Sequence, residues 1–569
     1  MNPETLNGRQ TSTLPSRLPT EQAAKQGRSP RWPLAILLIG GLLTLWLQVY
    51  SRNGVLFSGD GGLKALLAQQ LGSGNLSLDL QLPAEPWVQT LWQQGLYPFT
   101  PPYVYEQGAQ RFITFPFTFP AVTAPFYALM GYRGLYVVPL VALWAIWGRL
   151  YQICQRRSLP PLVTALGLTA VVVASPLLPY GAMYWEHTLA VALAFWGATG
   201  VLYPKSETPT LRSLAINGGL IGLAVWFRPE FLCLIAALGA VAILGQLTQL
   251  WGFRLGMGKT AVLIGAMGGT VLLFFALNIQ VYGHPLGIHA IQIVEESSPA
   301  QQLEQAKESY AQLTTALFRY FPLIVLAIAA PFIGLVNSDF KLPANAKVLL
   351  LVGLLYAASV PLIVPPGAGG KQWGPRFYLI LIPLAALVIA QQLGSLVSHR
   401  RLTRRVALGV FALMLAVGIH MNTIQGGLRV YEDRQTQSVS LAKNYEPIAP
   451  MVQALDQQPL PWVAMSHQFV AQQLWPSLPD KTFFLTETTD ALKQLGTALQ
   501  QQGKAEFLYV CYPHRDCPVP ELAPSELQIV SAEQATQTDQ VTQMQFALLG
   551  TFGKYPTYQV TLQSNDQSN

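Results

Sequence analysis

The chain has 569 residues, of which 51% are hydrophobic and only 11% charged, with a mean hydropathy of +0.33. Soluble domains carry about 25% charged residues, so the deficit points to a membrane protein. The formal net charge of +7 does not imply nucleic acid, because a DNA-binding groove needs its Lys and Arg clustered on one face. No such cluster is found, and no nucleic-acid partner is expected.

Residues 1–32 are polar, with scattered Pro, Gln and Ser, and read as a disordered cytoplasmic lead. Apolar runs then fall at 33–50, 134–153, 160–179, 188–203, 213–227, 231–248, 260–280, 320–336, 347–364, 377–396 and 406–421. A span takes about 20 apolar residues, which gives about eleven transmembrane helices. SRNG (Ser51–Gly54) behind the first run offers no small-residue cleavage site, so an uncleaved anchor is expected rather than a signal peptide. Arg28 and Arg31, then Arg156, Arg157, Lys205, Arg212, Arg254, Lys259, Lys341 and Lys347, then HRRLTRR (His399–Arg405), all fall on one side of these spans. That side should be cytoplasmic. The N-terminus is then inside and the C-terminal tail outside, in a multi-pass protein. The modest size and the lack of an evident eukaryotic sorting signal favour a bacterial plasma membrane.

Three external regions are large. Residues 51–133 are rich in aromatics and prolines, as in PFTPPYVY (Pro98–Tyr105) and FITFPFTFP (Phe112–Pro120). Too apolar to float in water, they are predicted to lie on the membrane face as short amphipathic helices and turns. Residues 283–318 contain a polar segment of helical character, PAQQLEQAKESYAQL (Pro299–Leu313). In the tail, 423–569, PWVAMS (Pro461–Ser466), KTFFLT (Lys481–Thr486), AEFLYVC (Ala505–Cys511) and LQIV (Leu527–Val530) read as strands. TTDALKQLGTAL (Thr488–Leu499) reads as a helix with Thr caps. The predicted organisation is a disordered lead (1–32), an α-helical polytopic membrane domain (33–422) and a small extracytoplasmic α/β domain (423–569). Of the cysteines, Cys154 and Cys233 lie in or beside spans. Cys511 and Cys517 bracket CYPHRDC, where a disulfide fits an oxidising compartment. Zinc would need more ligands than His514 adds, and the pairing stays open.

Ionisable residues gather at the external helix ends. These are Asp60 in FSGDGG, Glu186 and His187 in GAMYWEHTLA, Arg228 and Glu230 in FRPE, Lys371 and Arg376 in GGKQWGPRF, and His284 and His289 in VYGHPLGIH. Singly, each is as readily an interfacial anchor or a cap. Together they read as a ring converging on one external cavity, because charge at membrane depth is costly and marks a pathway or a site. The set suits transfer of a sugar from a lipid phosphate. A carboxylate would deprotonate an acceptor hydroxyl, and Arg or Lys would hold the phosphate. Tyr184, Trp185 and Trp373 would wall a sugar or prenyl chain. Gly59, Gly61 and Gly62 around Asp60 would let the backbone approach a substrate, unless SGDGG is simply a flexible turn.

At these residues the chain resembles the GT-C superfamily of integral-membrane glycosyltransferases, in the branch with protein O-mannosyltransferases and lipid A aminoarabinose transferases. The resemblance covers most of 33–422. It rests on Asp60 beyond the first span, the long first external loop, YWEH (Tyr184–His187), GLAVWFRPE (Gly222–Glu230) and WGPRFY (Trp373–Tyr378) leading into LIPL (Leu381–Leu384). It implies a polyprenyl-phosphate-linked sugar donor, a glycan, lipid or protein acceptor, and inverting transfer on the external face of the bilayer. Carried over, Asp60 is the catalytic base and Glu186 the second acid. Arg376, Arg228 and Lys371 hold the donor phosphate, and Tyr184, Trp185, His187, Glu230 and Trp373 line the substrate. Some relatives use a divalent cation. The two adjacent acids common in the family's first loop are replaced here by Asp60 followed by Gly61 and Gly62, which leaves a metal-chelating loop in doubt. A transporter or flippase of a lipid-linked sugar is the alternative, although its site should lie at the bilayer midplane. A non-catalytic scaffold would leave the charged ring unexplained.

Overall fold

The computed structural model describes residues 31–50, 55–206, 208–288, 299–336, 342–364, 371–396, 401–445, 447–513, 517 and 543–563. Residues 1–30 of the predicted lead, Lys341, His289, His399 and the predicted strand 527–530 lie outside them.

Helix α1 (Trp32–Tyr50) is followed by α2 (Gly59–Gly72), the short α3 (Pro86–Leu91), an antiparallel hairpin of β1 (Val104–Gln107) and β2 (Gln110–Ile113), and α4 (Thr118–Met130). The helical body continues with α5 (Val137–Arg156), α6 (Pro161–Val172), the single turn α7 (Leu177–Tyr180), α8 (His187–Leu202), α9 (Leu211–Val225), α10 (Phe231–Thr248) and α11 (Met257–Tyr282). It closes with α12 (Pro299–Tyr320), α13 (Ile324–Val336), α14 (Ala344–Ser359), α15 (Leu381–Leu396) and α16 (Arg401–Ile419). Every expected apolar run contains helix. Among the described residues, six helices are long and apolar enough to cross a bilayer, while Pro161–Val172, His187–Leu202, Leu211–Val225 and Leu381–Ser395 are shorter. The run at 320–336 does not continue its polar predecessor in a straight line, because α12 and α13 meet at 93°. Helix α8 buries residues all round its surface, as a helix enclosed by other helices should.

Beyond the helices, β3 (Glu432–Asp433) pairs with β4 (Ser438–Val439), and two short helices follow, α17 (Leu441–Tyr445) and α18 (Ala449–Gln457). Next come β5 (Trp462–Met465), α19 (Phe469–Gln473), β6 (Thr482–Leu485), α20 (Thr489–Gln501), β7 (Glu506–Val510), β8 (Gln543–Phe552) and β9 (Tyr555–Gln563). The sheet order is β6-β5-β7-β9-β8. The first three strands are parallel, as βα alternation requires, and β9 and β8 add an antiparallel hairpin. Helix α20 starts where the sequence placed it, with the Thr488 hydroxyl accepting from the Ala491 N–H at 3.2 Å. Cys511 and Cys517 are disulfide-bonded.

The segment between α1 and α5 forms short helices, turns and a hairpin, and two of its tryptophans pack against the C-terminal sheet. Trp87 packs edge-on against Trp462 at 5.0 Å, and the Trp92 indole N–H donates to the Phe483 carbonyl at 3.1 Å. The glycines around Asp60 lie in the first turn of α2 and not in a flexible turn, and Gly59 and Asp60 keep partial solvent access. A Cβ on Gly62 would strike the Gln472 carbonyl, and one on Gly59 the Gln472 side chain. The close approach they permit is that of α19. Gly62→Ala is therefore expected to destabilise the protein by about 1–3 kcal/mol. Gly265→Ala, where a Cβ on α11 meets nothing within 4 Å, should be neutral or stabilising by up to about 1 kcal/mol. Unfolding midpoints of both variants in one detergent measure the contrast.

Candidate active site

Four chain segments meet where α2 begins. Asp60 is the second residue of α2 and Lys64 lies one turn on, so the two share a face. Glu186 precedes α8, Arg228 and Glu230 occupy the bend between α9 and α10, and Arg376 sits in a single 3-10 turn before α15. The side chains form a continuous chain of ion pairs. Lys64 Nζ lies 2.7 Å from Glu186 Oε2, with both side chains 3% exposed. Arg228 Nη1 lies 3.2 Å from Glu186 Oε1, and Arg228 Nε 2.9 Å from Glu230 Oε1. Arg376 is buried, its guanidinium 5.5 Å from the Trp185 ring and 4.8 Å from that of Phe377. Trp185 is held in turn by donating to Ser58 Oγ at 3.2 Å and by the Phe57 ring at 5.2 Å.

The two acids have opposite electrostatics. Burial pushes the Asp60 carboxyl above its ordinary range, and the opposing pull of Lys64 and Arg376 does not cancel this. Asp60 nevertheless keeps partial solvent access. For Glu186, burial also raises the affinity for a proton, but Lys64 and Arg228 outweigh it and hold the carboxyl at about 2. Asp60 can therefore take up a proton, whereas Glu186 is a fixed anion that anchors two cations.

The sequence-predicted residues divide accordingly. Asp60, Glu186, Arg228, Glu230, Arg376 and Trp185 are brought together. His187 is adjacent, its ring against Tyr180 at 5.3 Å and Trp185 at 5.0 Å. Tyr184 points away, its hydroxyl 2.8 Å from that of Thr123 on α4. Trp373 is a core residue that donates to Asn422 Oδ1 at 3.0 Å and packs on Tyr320 and Tyr431. The rings of Tyr184 and Trp373 are buried, as is that of Trp185. Lys371 is exposed, with Nζ 3.4 Å from Asn444 Oδ1, outside the ion-pair chain. His284 is exposed beyond α11, its Nδ1 accepting from Leu286 N–H at 3.2 Å. Lys64 was missed. Its signal was the i+4 spacing from Asp60, which is informative only once 59–72 is read as helix and not as a turn.

Among the described residues, no group of three or more His, Cys, Asp or Glu could hold a metal ion. Glu186 and Glu230 already bind Lys64 and Arg228, which an incoming ion would have to displace. Beside the site, an apolar recess is lined by Phe115, Pro229, Leu232, Phe274, Phe275 and Tyr282. It adjoins the charges through Pro229 and through Phe115, whose ring lies 4.4 Å from Lys64 Nζ.

Removing one partner of a buried pair leaves an uncompensated charge, so Lys64→Met should cost about 3–5 kcal/mol. Adding Glu186→Gln should return part of that loss, giving a non-additive double-mutant cycle in the unfolding free energy. Because the Glu186 carboxyl is lowered, its contribution is complete above pH 4.5, the ordinary value, and is lost as pH falls toward about 2. The Lys64→Met variant should lose it at higher pH than the parent.

No family model and no curated protein matches the chain. Among solved structures, ArnT from Cupriavidus metallidurans bound to undecaprenyl phosphate aligns over 93% of this chain and 98% of its own, with a TM-score of 0.50 and 10% identity. The archaeal oligosaccharyltransferase AglB from Archaeoglobus fulgidus, in complex with an inhibitory peptide and a dolichol-phosphate, aligns over 84% of this chain and 69% of its own, with a TM-score of 0.46 and 11% identity. The chain has the fold of ArnT over nearly its whole length.

Proposed function

We propose that this chain is a membrane glycosyltransferase that moves a sugar from a polyprenyl-phosphate-linked donor to an acceptor hydroxyl on the extracytoplasmic face, with inversion. The observation that carries the reading is the convergence of Asp60, Arg376 and the Lys64–Glu186–Arg228–Glu230 chain next to an apolar recess. Asp60 accepts the proton of the acceptor hydroxyl. The oxygen attacks the anomeric carbon from the face opposite the phosphate, and the bond from carbon to phosphate oxygen breaks. The leaving polyprenyl phosphate takes the electron pair, and its charge is met by Arg376 and Arg228. Trp185 and Phe377 fix the plane of the Arg376 fork. The recess at Phe115, Pro229 and Phe274 receives the first prenyl units.

The placement supports an external site. Glu186 begins α8 and Arg228 follows α9, whereas Lys205 and Arg212 lie at the opposite ends of those helices. With basic loops on the cytoplasmic side, the N-terminus is cytoplasmic and the cluster and tail face outward, in a bacterial plasma membrane. The Cys511–Cys517 disulfide suits an oxidising exterior. The acceptor is a glycan, lipid or protein. A transporter or flippase is the weaker reading, because the charges crowd one end of α8 and α9 and leave the middle of those helices without any.

Asp60→Asn is expected to lower transfer by about 10²–10⁴-fold while donor binding stays near that of the parent. Because the Asp60 carboxyl is raised, the acid limb of kcat/KM should lie above the ordinary carboxylate range of about 4, with activity falling as pH drops through it. Full transfer by Asp60→Asn would remove Asp60 as the base, and intact lipid translocation without transfer in the parent would favour the flippase.

A further inference from the structure

The first external loop encloses a second cavity, remote from the charged cluster. It is a cleft of about 720 Å³ whose lining includes Asp79, Gln81, Gln93, Trp92, Tyr97 and Arg111. Its walls are held from several sides. Gln70, on the last turn of α2, donates through Nε2 to the carbonyls of Ser77 and Asp79, both at 2.8 Å. Its Oε1 accepts from the Gln81 N–H at 2.8 Å. The Leu80 N–H reaches the Arg111 carbonyl at 2.7 Å, tying this wall to β2. Arg111 is fixed by Glu106 at 2.8 Å and by the Tyr97 ring at 4.1 Å. The rear is closed by β6 through the bond from Trp92 to Phe483. A site so arranged pays little ordering entropy when it binds.

The lining selects a chemical class. It is dominated by amide, carboxylate and guanidinium groups that donate and accept side by side, with one acid and one base in balance. An apolar ligand would strand those groups, and a polyanion would meet only one cation, already held by Glu106. Tyr97 adds an independent sign. Its hydroxyl is buried and has no hydrogen-bond partner among the described residues, although buried polar groups are ordinarily satisfied. A ligand with many hydroxyls, each able to donate and accept, completes such a site. Gln70, which anchors the cleft wall, lies ten residues beyond Asp60 on α2, a rise of about 15 Å along the helix.

We propose that this cleft binds the distal sugars of a neutral carbohydrate acceptor whose reacting hydroxyl lies at Asp60. Its role as an acceptor site rests on the glycosyltransferase reading, whereas its binding of sugar does not. The experiment is calorimetric titration of the full-length protein in detergent with linear neutral hexasaccharides of glucose, mannose, galactose and N-acetylglucosamine. Undecaprenyl phosphate is titrated separately. At least one hexasaccharide should bind saturably. Tyr97→Phe deletes only an oxygen that has no partner among the described residues, and it should weaken that binding about tenfold while leaving undecaprenyl phosphate unaffected. Gln93→Ala should weaken it in the same direction. Absence of saturable binding by all four sugars, or equal binding by parent and variants, overturns the proposal. Sugar binding without any binding of undecaprenyl phosphate would keep the cleft and sink the donor reading instead.

Discussion

Burying ionised groups among apolar helices is tolerable only when each charge is matched. The chain from Lys64 through Glu186 and Arg228 to Glu230 meets that requirement with bonds of 2.7, 3.2 and 2.9 Å. It fastens the start of α2 to the start of α8 and to the bend between α9 and α10, segments brought together from well over a hundred residues of sequence. The pairing also sorts the acids. Glu186 is committed to two cations, whereas Asp60 retains a raised proton affinity and partial access. One constraint thus fixes the backbone of the site and sets aside the one carboxyl suited to proton transfer.

The C-terminal sheet takes part in the same construction. Helix α19 packs so tightly on the first turn of α2 that residues 59 and 62 have no room for a side chain. Asn444 donates to the carbonyls of Leu56 and Phe57 immediately before Asp60. Trp92 and Trp87 join the first loop to β6 and β5. The position of Asp60 therefore depends on residues some 400 positions away in sequence, and a change in the sheet is felt at the carboxylate.

Much of this was legible in the sequence. Apolar run length located helix in every expected run, and βα alternation with the Thr488 cap located β5, β6, β7 and α20 in the tail. Charge at helix ends located Asp60, Glu186, Arg228, Glu230 and Arg376. What was not legible needed the third dimension. Run length does not say that α8 is buried all round its surface. Adjacency in sequence misled for Tyr184, which neighbours Trp185 but turns toward Thr123, and for Trp373, whose ring is filled against Tyr320 and Asn422. Lys64 was hidden because no helix was placed at 59–72, so its i+4 spacing from Asp60 carried no meaning. The β8–β9 hairpin lies beyond a long polar stretch and has only weak alternation to announce it.

The central claim is that the charged cluster holds the phosphate of a polyprenyl lipid. Gentle purification from the native membrane, followed by mass spectrometry of the bound lipids, tests it most directly. A co-purifying polyprenyl phosphate or its glycosylated form is the expected result, and the mass difference would give the class of sugar. Bulk phospholipid alone, even after addition of polyprenyl phosphate, would contradict the assignment of the donor site to Arg228 and Arg376.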